Sequence, residues 1–235
     1  MLTNLLIIDI ETVPQQPTFQ NLNKYWQELW WEKVQKTVAP DVTPEESYHQ
    51  KAGILAEFGK IVCISTAFFY QQNGQWTLKI KSIYGDDEAE ILNNFIALCQ
   101  KVQQLHPLFQ FAGHNIKEFD IPFICRRLMI QQIPLPDFLQ FHDKKPWETK
   151  MFDTLHWWKF GDHKNYVSLH LLASVLNIPT SKDDIDGSMV QVVYHQEKNL
   201  DRIVAYCQKD VVVTANIILR FHHLPLLEAS QIRIV

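Results

Sequence analysis

The sequence predicts an α/β protein with a mixed sheet and helices on its faces. Three patterns lead there. A β-branched apolar run opens the chain, an Asn-Gly turn joins two later strand-like runs, and long stretches of helical apolar spacing follow. The order reads β, β-β, α, β, α, α, α, which suits a sheet covered by helices. With 235 residues and 46% hydrophobic content the chain can bury a real core. One domain over 1–235 is expected, with a helical insertion at about 14–53.

Each element follows from local pattern. Leu5 to Ile10 is a buried strand that ends where Asp9 and Glu11 stand. In the insertion, Leu22, Trp26, Leu29, Trp30 and Val34 recur at helical spacing. Its tryptophans either face a core, or Trp26, Trp30 or Trp31 offers a stacking surface for bases. Lys60 to Tyr70 is a buried strand, Asn73-Gly74 a hairpin turn, and Trp76 to Gly85 its alternating antiparallel partner. Asp86 to Leu105 reads as a helix, Leu108 to Gly113 as a short strand, and Ile121 to Gln132 as a second helix. Met151 to Trp158 starts a strand or a helix, Ser168 to Pro179 is a compact helix, and Leu200 to Phe221 is the long final one.

Composition narrows the setting. Cys63, Cys99, Cys125 and Cys207 form no C-x-x-C pair, which argues against a zinc ribbon or disulfide framework and for reduced thiols in a cytoplasm. No run of eighteen apolar residues exists and no basic flank precedes the apolar start, so no membrane span or signal peptide is expected. A net charge of −4 argues against long, non-specific coating of duplex DNA. It leaves room for a nucleic-acid enzyme with an acidic metal pocket. The chain lacks GxxxxGK[ST], GxGxxG and G-x-S-x-G, so P-loop, dinucleotide and esterase chemistry have no support.

Three segments carry unusual acids. In LLIIDIETVP, Asp9 and Glu11 alternate onto one side of a strand. At about 5 Å two carboxylates repel by a few kcal/mol unless they share a proton, bridge a cation or reach water. In GHNIKEFDIPFICRRL, Asp120 precedes Ile121-Pro122 and is placed either as a helix N-cap or as a site residue beyond a strand end. In YCQKDVVVT, Tyr206 and Asp210 share a face of a largely buried helix, as a satisfied pair or as acids that need a cation.

Taken in order, D-x-E, N-x-x-x-F-D-x-P and Y-x-x-x-D resemble the three exonuclease motifs of the DEDD superfamily, and the tyrosine marks its DEDDy branch. The nearest likeness is to stand-alone 3′–5′ exonucleases related to the proofreading domain of family B DNA polymerases. This resemblance implies a ribonuclease H-like fold with a five-stranded mixed sheet. It implies two Mg²⁺ or Mn²⁺ ions held by Asp9, Glu11, Asp120 and Asp210, with Tyr206 orienting the attacking water. It also implies that Ile10, Thr12, Asn115 and Phe119 grip the terminal nucleotide. The expected partner is the 3′ end of single-stranded nucleic acid, DNA favoured. The alternatives are an exoribonuclease of the same superfamily and a nucleic-acid-binding scaffold that has lost catalysis.

Other signals are weaker. TSKDDIDGSMV fails as a calcium loop, because registering Gly187 at its sixth position puts Lys182 first and Val193 last. Ser181 and Lys182 could instead touch a substrate phosphate, or form a solvated turn. Asp153 reads as structural, with a place near the site as the alternative. His222-His223 read as surface residues.

Overall fold

The computed structural model describes residues 2–145, 148–162, 164–180 and 185–235. Its strands are β1 (Leu5–Pro14), β2 (Gly59–Gln72), β3 (Gln75–Tyr84), β4 (Gln110–Gly113), β5 (Phe152–Asp153) and β6 (Ile232–Ile234). They form one sheet in the order β5-β4-β1-β2-β3-β6. The β1-β2-β3 meander is antiparallel, and β4, β5 and β6 join through parallel pairings. Asn73 and Gly74 turn the β2-β3 hairpin at φ 52° and 78°, the left-handed pair that a two-residue turn requires.

Two features correct the expected sheet. It has six strands rather than five, because Ile232–Ile234 pairs with Leu78–Ile80 of β3. Ile234 is 62% exposed, so these three residues carry no buried alternation to read. And β1 does not end at the acids: Thr12, Val13 and Pro14 go on pairing with β2, past a bulge opposite Glu11 and Thr12.

The helices are α1 (Lys24–Val34), α2 (Pro44–Lys51), α3 (Glu88–Leu105), α4 (Asp120–Ile130), α5 (Thr154–Lys159), α6 (Leu169–Val175), α7 (Val190–Val192) and α8 (Leu200–Phe221), with a π-helical turn at Val193–Glu197. The alternation of β1 sorts them into layers. Leu6, Ile8 and Ile10 pack with Phe95 of α3 and Ile121 and Ile124 of α4. Leu5 and Ile7 pack with Val211, Ala215 and Ile218 of α8. Among the described residues, no helix is long and apolar enough to cross a membrane.

The insertion folds around Trp30, which is fully buried and donates its ring N–H to Ser47 Oγ at 3.0 Å. Tyr48 and Phe58 pack edge-on against it at 5.1 and 4.9 Å. Trp30 is therefore core and offers no face to a base; Trp26 is 41% exposed. The surface reading of His222 also needs correction, since its ring is half-buried against Phe152 and Trp157.

Candidate active site

Asp9 and Glu11 follow Leu5 and Ile7 on the α8 face of the sheet, so the strand that buries the apolar pair aims both acids at α8. There Cys207 meets them: one ligand atom from each of Asp9, Glu11 and Cys207 lies within 4.8 Å of the others. The Cys207 thiol donates to Asp9 Oδ2 at 3.3 Å. One turn along α8, the Tyr206 hydroxyl donates to the Asp210 carboxylate.

Asp120 arrives from the other layer. Pairing of β4 with β1 stops at Ala112–Ile7, which leaves the Ile10 N–H beyond the end of β4. Asp120 Oδ1 accepts that N–H at 3.2 Å. The expected N-cap role is not what Asp120 performs: Phe119 holds that position, and Asp120 is the first helical residue with its carboxylate turned to β1.

The turn that delivers Asp120 is built tightly. A Cβ on Gly113 would lie 2.0 Å from Ile116 Cγ2 and 2.9 Å from Ile8 O, so only glycine fits there. Asn115 follows with φ 63°. Buried Asp153 then grips the turn, accepting from Asn115 N and Lys117 N at 3.0 Å each while capping α5 through Leu155 N at 3.0 Å. Asp153 thus positions the segment that carries Asp120.

Electrostatics sets this cluster apart. Burial, then Asp210 and Asp120, pushes Asp9 well above the usual carboxylate range. Burial, then Asp9 and Asp210, does the same to Glu11. Asp120 rises to about 7 through burial, against the two backbone N–H groups that it accepts. Asp210 rises to about 6 through burial, opposed by the Tyr206 hydroxyl. No lysine or arginine is among the described neighbours that act on these acids. Four carboxylates, of which Glu11 and Asp120 are buried and Asp9 and Asp210 half-buried, with no cationic side chain among them fit divalent ions bound through oxygen.

Beside the acids lies a cavity of about 390 Å³, whose walls include Ile10, Glu11, Thr12 and Phe119 with His49 of α2 and Gln191 of α7. Gln191 Nε2 donates to His49 O at 2.6 Å, tying the two outer walls together. Of the expected substrate contacts, Ile10, Thr12 and Phe119 line this space. Asn115 does not; its Oδ1 is buried with no hydrogen-bond partner. Lys182 lies outside the described residues.

Residues 54–226 match the model of a family described as predicted 3′–5′ exonucleases related to the exonuclease domain of PolB. The chain belongs to this family. In this PolB-exonuclease relative the matched stretch contains Asp120, Tyr206 and Asp210, while Asp9 and Glu11 precede it. The fold is ribonuclease H-like and resembles the family B DNA polymerase of the hyperthermophilic archaeon Pyrobaculum calidifontis. That likeness has a TM-score of 0.53 and 13% identity, over 92% of this chain and 24% of the polymerase chain. The PolB-exonuclease relative therefore spans about a quarter of that polymerase's length. Among curated proteins none matches the chain.

Sequence reasoning missed two residues here. Cys207 was read only as a reduced thiol, although its place beside Tyr206 in Y-x-x-x-D could have drawn attention to it. Tyr166 is exposed, and the acids Asp120, Asp153 and Glu118 add to the effect of burial in raising its phenol; no motif marks it.

Proposed function

We propose that the protein is a metal-dependent 3′–5′ exonuclease that releases nucleoside monophosphates from single-stranded DNA ends. The observation that carries this reading is the meeting of four carboxylates, two buried and two half-buried, and one tyrosine, drawn from β1, α4 and α8, beside a nucleotide-sized cavity. Family membership supports it at the level of 3′–5′ exonuclease.

Asp9, Glu11, Asp120 and Asp210 hold two Mg²⁺ or Mn²⁺ ions in this reading. The pair supplies a lowered pKa for bound water and charge stabilisation for the attacked phosphate. The remaining work falls to the chain. Asp9, on which both Asp210 and Asp120 act, would contribute its carboxylate to holding the ions. Tyr206, held by Asp210, orients the attacking water through its hydroxyl. Ile10 and Thr12 form one wall of the terminal-nucleotide cavity and the Phe119 ring another. The orphaned Asn115 Oδ1 is an acceptor that a hydroxyl or base amine of the substrate would satisfy. With all four cysteines unpaired, a reducing cytoplasm is the setting we propose.

The test is degradation of a 5′-labelled oligonucleotide in Mg²⁺ or Mn²⁺, compared across single-stranded DNA, mismatched duplex and RNA. Asp9→Ala and Asp210→Ala should remove activity while the circular dichroism stays unchanged. Tyr206→Phe should slow turnover about tenfold or more with metal affinity retained. Activity that persists in EDTA or in Asp210→Ala sinks the two-metal mechanism. Faster loss of RNA than of DNA moves the reading to the exoribonuclease, since only a 2′-hydroxyl separates the substrates.

A further inference from the structure

A second, larger cavity of about 810 Å³ runs along the outer side of α4. Leu135, Leu139, Phe141 and Met151 give it an apolar floor. Its rim carries Lys117, Arg126 and Lys144, while Glu118 is its one acid among the described residues. That acid already faces His156 at 3.1 Å and Lys159 at 3.9 Å. Among the described residues, none of the three rim cations has a carboxylate partner. In a chain of net charge −4 this is a local reversal of sign.

The groove is also next to the chemistry. Phe119 stands in the wall of the smaller cavity, and its chain neighbour Glu118 stands in the rim of the larger one. Ile121 and Pro122, which follow Asp120, line the larger one as well. A strand whose terminal nucleotide fills the first space would pass Phe119 and enter the second.

We propose that this groove holds the nucleotides upstream of the terminal one, with bases on the apolar floor and phosphates at Lys117, Arg126 and Lys144. The assignment rests on the exonuclease reading and adds where the rest of the strand lies. An apolar peptide would use the floor and leave the cations unmatched. A polyanion with flat apolar bases uses both, in the manner of single-strand binding surfaces. Phe141, with Lys144 Nζ 5.5 Å from its ring centroid, supplies the aromatic platform.

Fluorescence anisotropy of a 5′-labelled dinucleotide and hexanucleotide, in EDTA and low salt, tests this on the full chain. The hexanucleotide should bind at least about tenfold more tightly than the dinucleotide. The double variant Arg126→Glu, Lys144→Glu alters two exposed side chains and should lose that gain. Its slope of log Kd against log salt should fall by about 1.4, at about 0.7 for each lost phosphate contact. Phe141→Ala should weaken the hexanucleotide about tenfold while keeping the wild-type salt slope. A length gain that survives the double reversal overturns the proposal and leaves the groove as a face for a protein. Absence of any length gain in the unaltered protein overturns it too. Because binding is read without metal, a protein with the length gain but no cleavage in Mn²⁺ would sink the exonuclease reading alone.

Discussion

Asp9 stands among Glu11, Asp120 and Asp210, and the protons on such a cluster belong to the group as much as to any one member. Their raised values have a sign that can be read in stability. At mid pH the folded, metal-free protein keeps protons that the unfolded chain, with carboxylates near 4, has already lost. That contribution is full below about pH 4 and disappears as the pH climbs through about 6 at Asp210 and about 7 at Asp120. The metal-free Tm is therefore expected to fall between about pH 5 and pH 8, and to fall less in Asp210→Asn. Mn²⁺ should raise the Tm at about pH 8 far more than at pH 5, because protons compete for the same oxygens. Thermal melts with and without EDTA decide this, and a flat profile would dismiss the raised values that burial gives these acids. At this scale the acids were legible because charge in an apolar run is anomalous. Asp120's partner was not, since the Ile10 N–H is freed by a strand that ends more than a hundred residues away.

Between elements, a buried ion pair fixes how α3 and α4 lie on the sheet. Glu88 at the start of α3 accepts from Arg127 Nε at 2.8 Å, from Ile61 N at 2.7 Å and from Gln131 Nε2 at 2.7 Å. Arg127 NH1 reaches Ala56 O at 2.8 Å. Both side chains are almost wholly buried, so removing one partner strands a charge without water. Glu88→Ala should cost about 3–5 kcal/mol, whereas replacing both residues by apolar ones of similar size should cost much less. Urea titration of the single and double variants measures the difference. None of this pairing was visible in sequence, because Glu88 and Arg127 stand on different helices and no motif or spacing links them. The helices themselves were visible: α8 spans the residues that its apolar spacing marked, because its own buried faces impose that period. The three-residue β6 was not, for want of any period at all.

Across the whole molecule, the insertion serves the site at a distance. Trp30 locks α1 onto α2 through Ser47, and α2 presents His49 to the cavity beside Glu11. Trp30→Ala would open a void of the kind that costs about 3–5 kcal/mol. Local loosening of α2 should then raise KM for an oligonucleotide more than it lowers kcat, as steady-state kinetics can show. An equal loss in both would mean that the fold as a whole has failed. Helical spacing in the insertion foretold the buried tryptophan, but spacing carries no direction in space, so the wall that α2 supplies could not be foreseen.

The bulge opposite Glu11 and Thr12 bears on what changes of length the protein tolerates. Cys63 pairs with Glu11 and Ile61 with Thr12, so Val62 is the surplus residue of β2. Ile61 and Ile64 lie in one core layer while Val62 and Cys63 lie in the other. Losing Val62 would restore strict alternation and leave every remaining side chain of β2 on its present face. Losing Cys63 would do the same, since it shares a layer with Val62, whereas losing any other residue of β2 would turn part of the strand inside out. Val62 and Cys63 are thus the positions at which a shorter version of this strand could arise in one step, and what it would surrender is the local bend behind the acids rather than the acids themselves.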